Sequence, residues 1–251
     1  AALILLLFLL AAGNSPLGAT TGQAPADEFV YYLPFIRSND SGPPPQATPT
    51  PTSTPTTMPD PVVILPNHST CTSIIGTMYV VGEIQNNSQD YVRFVKLTMN
   101  VFDKDGKLLG SDSPLVSMNV VNPGEKACFK ASLDEPDGWD QYAFSDLNYN
   151  SEGEPLTGLV VANHSGVYKP ELLGRYVISG QLRNESSQTT KFAKAVGTIY
   201  NASNTVIGCA TDFIDGFHLN PGQMGSFEII FGGRDYVDFD SYKIEASGSP
   251  E

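Results

Sequence analysis

The stretch LNPGQMGSF, residues 219–227, repeats VNPGEKACF, residues 121–129, which stands 98 positions earlier (219 against 121). The echo is not isolated. GEIQNNS (82–88) matches GQLRNES (180–186), and from there the offset runs on without a gap. Phe94 meets Phe192, Lys96 meets Lys194, Gly110 meets Gly208 and Phe129 meets Phe227. Towards the end WDQY (139–142) aligns with FDSY (239–242), two residues having been gained, and upstream Asn67-His68-Ser69 recurs as Asn163-His164-Ser165. One unit of roughly 90 residues is therefore written twice, over 62–150 and 157–248, a usual size for a domain.

The repeated unit reads as strands. In VRFVKLTMNVFD (92–103), Val95, Leu97, Met99 and Val101 alternate with polar residues, a period of two that turns one face to a core. The second copy has Ala193, Ala195, Gly197 and Ile199 on that face and loses volume there. Phe213 and Phe217, which stand where the first copy has Leu115 and Asn119, are expected to refill it. Asp103-Lys104-Asp105-Gly106 is a hairpin turn rather than a calcium loop, since no distant Glu follows at the required spacing. The Asn-Pro-Gly triplets supply a fixed φ at Pro and a positive φ at Gly, leading into strands. No stretch carries a sustained period of 3.6, so an all-β fold with almost no helix is predicted.

With 27 acidic against 14 basic residues the chain carries a net charge of −13. A surface of that sign repels phosphate backbones and anionic headgroups, which excludes nucleic acid and peripheral membrane binding. Residues 1–12, AALILLLFLLAA, are too short to span a membrane and match a secretory h-region. Residues 1–26 are read as a signal peptide, N-terminally incomplete, with an uncleaved anchor as the alternative. Residues 27–61 form an extracellular leader and a Pro/Thr-rich linker: 43–61 hold eight of the nineteen prolines and favour extended polyproline II.

GEIQNNS, a strand ending MNVFD, a turn, KLLG and then NPGEKACF together resemble the FxLYD domain of bacterial envelope and secreted proteins; the second copy, from GQLRNES to NPGQMGSF, is similar. The resemblance covers about 180 residues, although both copies lack the initial Phe of the naming motif. It implies two tandem immunoglobulin-like β-sandwich domains after the signal peptide and linker, with no assigned catalysis and no functional residues to transfer.

Chemistry-bearing residues are few. His68 and His164 are equivalent positions in the two copies, and His218 stands alone. No nucleophile elbow, HExxH, P-loop or dinucleotide glycine pattern occurs. The acidic loops DEPDGWD (134–140) and RDYVDFD (234–240) make Asp134, Asp137, Asp140, Asp235, Asp238 and Asp240 the weak candidates for a metal site; solvated loops are the plainer reading. Trp139 is read as a core aromatic rather than a sugar platform. Five N-x-S sequons, at Asn67, Asn86, Asn163, Asn184 and Asn201, are read as turn residues. Of three cysteines, Cys71 and Cys128 share the first copy and are expected to pair, closing a loop worth about 4 kcal/mol, with Cys209 reduced. Cys128 alternates with the inward Phe129 and so faces away from the core, which requires Cys71 to approach from the outer face or from an edge.

The reading as a whole is a secreted or cell-surface protein, not an enzyme and without cofactor. It acts in adhesion, spacing or assembly on an extracellular protein or polysaccharide, with no membrane contact beyond the signal or anchor segment. The alternative is a carbohydrate- or calcium-binding module using the acidic loops.

Overall fold

The computed structural model describes residues 60–151, 158–172, 174–234 and 236–251. The signal-peptide segment, nearly all of the leader and linker, and Asp235 lie outside the described residues. Contacts divide the chain at Thr54/Pro55, and the unit Pro55–Glu251 is the one described.

The first repeat contributes β1 (Val62–Ile64), β2 (Ser69–Thr72), β3 (Thr77–Asn86), β4 (Val92–Asp103), β5 (Leu108–Asp112), β6 (Val120–Val121), β7 (Lys126–Asp134) and β8 (Trp139–Asn150). The second contributes β9 (Leu159–Lys169), β10 (Arg175–Asn184), β11 (Thr190–Asn201), β12 (Val206–Phe213), β13 (His218–Leu219), β14 (Met224–Phe231) and β15 (Phe239–Pro250). Among the described residues there is no α-helix, only a 3-10 turn at Pro170–Leu172.

Pairing is antiparallel throughout and repeats itself. In the first repeat β1 and β2 lie on one side of β3 and β7 on the other; β4 carries β8 on one side and β5 and β6 on the other. In the second repeat β9, a single bulged strand, takes the place of β1 and β2 beside β10, with β14 opposite; β11 carries β15, β12 and β13. Each repeat is thus two facing sheets, and no sheet mixes strands from both copies.

The alternation read in 92–103 is the core. Val95, Leu97, Met99 and Val101 are fully buried, opposite Phe129 and Ala131 from the facing sheet. In the second repeat Ala193, Ala195 and Ile199 face Phe227, Ile229 and Phe231. The volume lost on β11 is regained on β14, where Ile229 and Phe231 stand in the places of Ala131 and Leu133. A Cβ at Gly197 would sit 2.9 Å from the Phe231 ring, so the large ring requires the small residue. Phe213 and Phe217 do not fill this space. Both are exposed, resting edge to face on each other with ring centroids 5.4 Å apart. Phe213 lies outside because its parity on β12 points away from the core: its ladder partner is Lys194, not Ala193 or Ala195.

The recurring Asn-Pro-Gly phrase has a structural partner in the recurring Asn-x-Ser. Gly124, at φ 78°, donates its N–H to the Asn86 carbonyl (2.7 Å), and the Asn86 amide donates to the Val121 and Asp90 carbonyls (3.0 and 2.8 Å). Gly222 and Asn184 repeat this arrangement with Leu219 and Gln188. Each triplet thus holds, and is held by, the Asn-x-Ser turn at Asn86 or Asn184 of its own repeat.

Candidate functional site

The five candidate carboxylates among the described residues do not converge. Asp134 ends β7 and pairs with Thr77; Asp137 and Asp140 are exposed around the following turn. Asp238 is held by the Arg234 guanidinium (2.7 Å), and Asp240 is exposed on β15. No group of three or more His, Cys, Asp or Glu among the described residues is placed to hold a metal ion. Glu135, which sequence reading passed over, is the organising carboxylate of its loop: its Oε1 accepts from the Trp139 indole and the Thr72 hydroxyl, each at 2.9 Å. The Trp139 ring packs, half-buried, against the Met78 and Val101 side of the first core.

The histidines are equivalent in space as in sequence. His68 Nδ1 lies 2.7 Å from the Tyr142 hydroxyl and His164 Nδ1 2.9 Å from that of Tyr242, each ring edge-on to its tyrosine. Burial lowers the His68 pKa below its ordinary value.

The cysteine pairing differs from the expected one. Cys128 is bonded to Cys209, with an S–S length of 2.07 Å and Cα atoms 5.8 Å apart, and Cys71 is free. The expected Cys71–Cys128 bond is ruled out by register. Cys71 pairs with Tyr79 and Cys128 with Glu83, so they flank β3 on opposite sides and four residues apart along it. That is roughly 16 Å between Cα atoms from ordinary strand spacings, against a limit of about 7 Å for a disulfide. Cys128 does face outward, as its alternation with Phe129 requires; what it meets there is the second repeat.

The outer faces of two sheets form this contact. Val81 and Cys128 from the first repeat pack against Val196, Val206 and Cys209 from the second. Glu83, fully buried between the repeats, accepts from the Tyr200 hydroxyl (2.6 Å) and the Asn67 amide (3.0 Å). Burial, then the Glu83 carboxyl on its hydroxyl, pushes the Tyr200 phenol well up. Ser69 Oγ donates to the Val206 carbonyl and the Val206 N–H to the Asn67 carbonyl, so the seam is bonded along its length.

Two grooves open at the ends of the seam. One, of about 490 Å³, is lined by Ile74, Ile75, Tyr79, Arg175 and Arg234. The other, of about 470 Å³, is lined by Phe94, Leu115, Phe192, Phe213, Arg93 and Lys194, among others. Phe94 and Phe192 are equivalent positions with φ of 51° and 52°, each at a bulge in its strand. Neither groove was legible in the sequence, because each draws on both repeats.

No family model matches the chain, and no curated protein does. Among solved structures it is similar to the exo-chitosanase CsxA of Amycolatopsis orientalis, both alone and as variants in complex with PNP-β-D-glucosamine. Identity is 12%, with TM-scores of 0.25 to 0.27. The match covers 76% of this chain and 26% of the enzyme, about a quarter of its length, and likeness of that degree carries no argument about activity.

Proposed function

We propose that the chain is a non-catalytic, exported or surface-tethered protein of the FxLYD type, whose immunoglobulin-like sandwiches serve adhesion, spacing or assembly. The Cys128–Cys209 bond carries this reading. Structural disulfides persist outside the reducing cytoplasm, and this one staples two folded repeats into one body instead of standing at a reactive position. The groups that could do chemistry are also engaged structurally: His68 and His164 with tyrosines, Glu135 with Trp139, Asp238 with Arg234. The rival, calcium or carbohydrate held by the acidic loops, has no comparable observation behind it.

Cell fractionation tests the proposal. The native protein is expected in the medium, or removable from intact cells by added protease, with one alkylatable thiol per chain. Recovery from the cytoplasm with all three thiols free would overturn it.

A further inference from the structure

The 470 Å³ groove is lined by apolar side chains and by two cations, with no carboxylate among its lining residues. In a chain where acids outnumber bases 27 to 14, that departs from the surface at large. Phe94 and Phe192 face it at 64% and 57% exposure, with Leu115 and Phe213 beside them. Both equivalent phenylalanines hold a left-handed backbone that Gly or Asn adopts freely and a bulky residue adopts only at a cost. Strain kept in both repeats, each time under an outward ring, points to use of the ring.

The two cations lack an anionic partner. Neither Arg93 nor Lys194 makes an ion pair among the described residues. Arg93 Nε is buried with no hydrogen-bond partner, although a buried donor ordinarily finds an acceptor. Lys194 Nζ stands 5.7 Å from the centre of the Phe213 ring, so charge and ring meet in one place. Burial lowers the Lys194 pKa, and a bound anion would favour the charged form again.

The neutral polar side chains of the lining are already engaged. Asn119 Nδ2 donates to Ser249 Oγ (3.5 Å), and the Asn119 N–H donates to Ser247 Oγ (3.0 Å). A sugar chain needs free donors and acceptors for its hydroxyls, and the groove offers ring and aliphatic carbon instead. Its volume lies among those of small-molecule sites, about 300–1,000 Å³.

We infer that this groove binds an amphiphilic carboxylate of the fatty-acid class, its alkyl chain laid along Phe94, Phe192 and Phe213 and its carboxylate held by Arg93 and Lys194. The guanidinium and ammonium give charge-assisted hydrogen bonds to the carboxylate, and the buried Nε gains its missing acceptor. This site goes beyond the surface-protein reading above and does not depend on it, because binding is measured on purified protein and export on cells.

Isothermal titration of the full chain with octanoate is the test, with 1-octanol and polygalacturonate as comparison ligands. Octanoate is expected to bind once per chain, about tenfold more tightly than the neutral alcohol, and more weakly at high salt. Arg93→Gln with Lys194→Gln should erase that preference and leave octanol binding as it was. Phe94→Asn with Phe192→Asn should weaken both ligands about tenfold or more; asparagine tolerates the left-handed backbone at both positions. An unchanged melting temperature verifies each fold, and the comparison of octanoate with octanol on the unmodified chain stands without either variant. Absence of octanoate binding at millimolar concentration overturns the inference, as does equal affinity for octanol. So does a preference for octanoate that survives loss of both cations, or binding that survives loss of both rings. Binding of polygalacturonate in place of octanoate also overturns it and gives the groove to an acidic polysaccharide.

Discussion

Asn184 is fully buried, and its side chain donates to the Gln188 and Leu219 carbonyls (both 2.7 Å) while accepting from the Ser186 N–H and hydroxyl. Truncation would orphan several of these groups at once. Asn184→Ala is expected to cost about 2–4 kcal/mol in urea denaturation, from unsatisfied buried partners at about 1–3 kcal/mol each; a loss under about 1 kcal/mol would contradict this. Asn86 and Asn184 both stand in N-x-S sequons, and in the folded chain their buried amides are spent on these turn hydrogen bonds. Glu245 presents a titration argument. Burial raises its carboxyl above the ordinary 4.5, with Lys243 pulling the other way. From that ordinary value up to the folded-state value, the folded chain holds the proton that the unfolded chain has released. Stability contributed by this group therefore falls as pH rises through the window. Glu245→Gln should flatten the dependence of the denaturation midpoint on pH in the range just above the ordinary carboxylate value, and an unaltered slope would remove the argument.

At the scale of the strand, the two copies solve one packing problem with different residues. Gly82 and Gly180 lie under the rings of Phe129 and Phe227, where a Cβ would come within 2.7 and 2.5 Å of the ring edge, so both copies keep the Gly–Phe pair. Beyond it they diverge: β4 is large and β7 smaller, whereas β11 is small and β14 larger. Phe231→Ala should consequently cost about 3–5 kcal/mol, as for other buried rings. Phe213→Ser, on the exposed face of β12, should stay within about 0.5 kcal/mol. Thermal melts of the two variants check the pair, and comparable losses would mean that Phe213 is part of the second core after all.

For the whole molecule, the seam between the repeats decides how it behaves as one body. Val81, Val196 and Val206 are removed from water there, the Glu83–Tyr200 bond is sealed among them, and the disulfide spans 81 residues of chain. On the chain-entropy model a loop of that length is worth about 4.5 kcal/mol. Peptide mapping without reductant should recover the segments around Cys128 and Cys209 as one cross-linked species, with Cys71 alone alkylated in denaturant. Recovery of Cys71 in the cross-link would refute the pairing. Cys209→Ser is expected to lower the denaturation midpoint and to let the repeats melt separately, since covalent continuity would then rest on the short 151–158 connection alone.

Strand parity and turn chemistry are local. The alternation in 92–103, the glycines of the two Asn-Pro-Gly triplets and the outward facing of Cys128 could all be read from neighbours two or three positions away. A repeat at a constant offset extends that reading to two copies of one all-β unit. Other features depend on which surfaces meet. Cys128 was read correctly as pointing outward, but only the docking of β12 on the first repeat brings Cys209 to it. The left-handed Phe94 and Phe192 sit at bulges with no Gly or Asn beside them in the chain, and their rings share one groove with the outward Phe213 only where the two repeats lie side by side. Contacts across 81 or 98 residues leave no period in the chain, because their partners are chosen by the free energy of burying two whole faces rather than by local backbone preference.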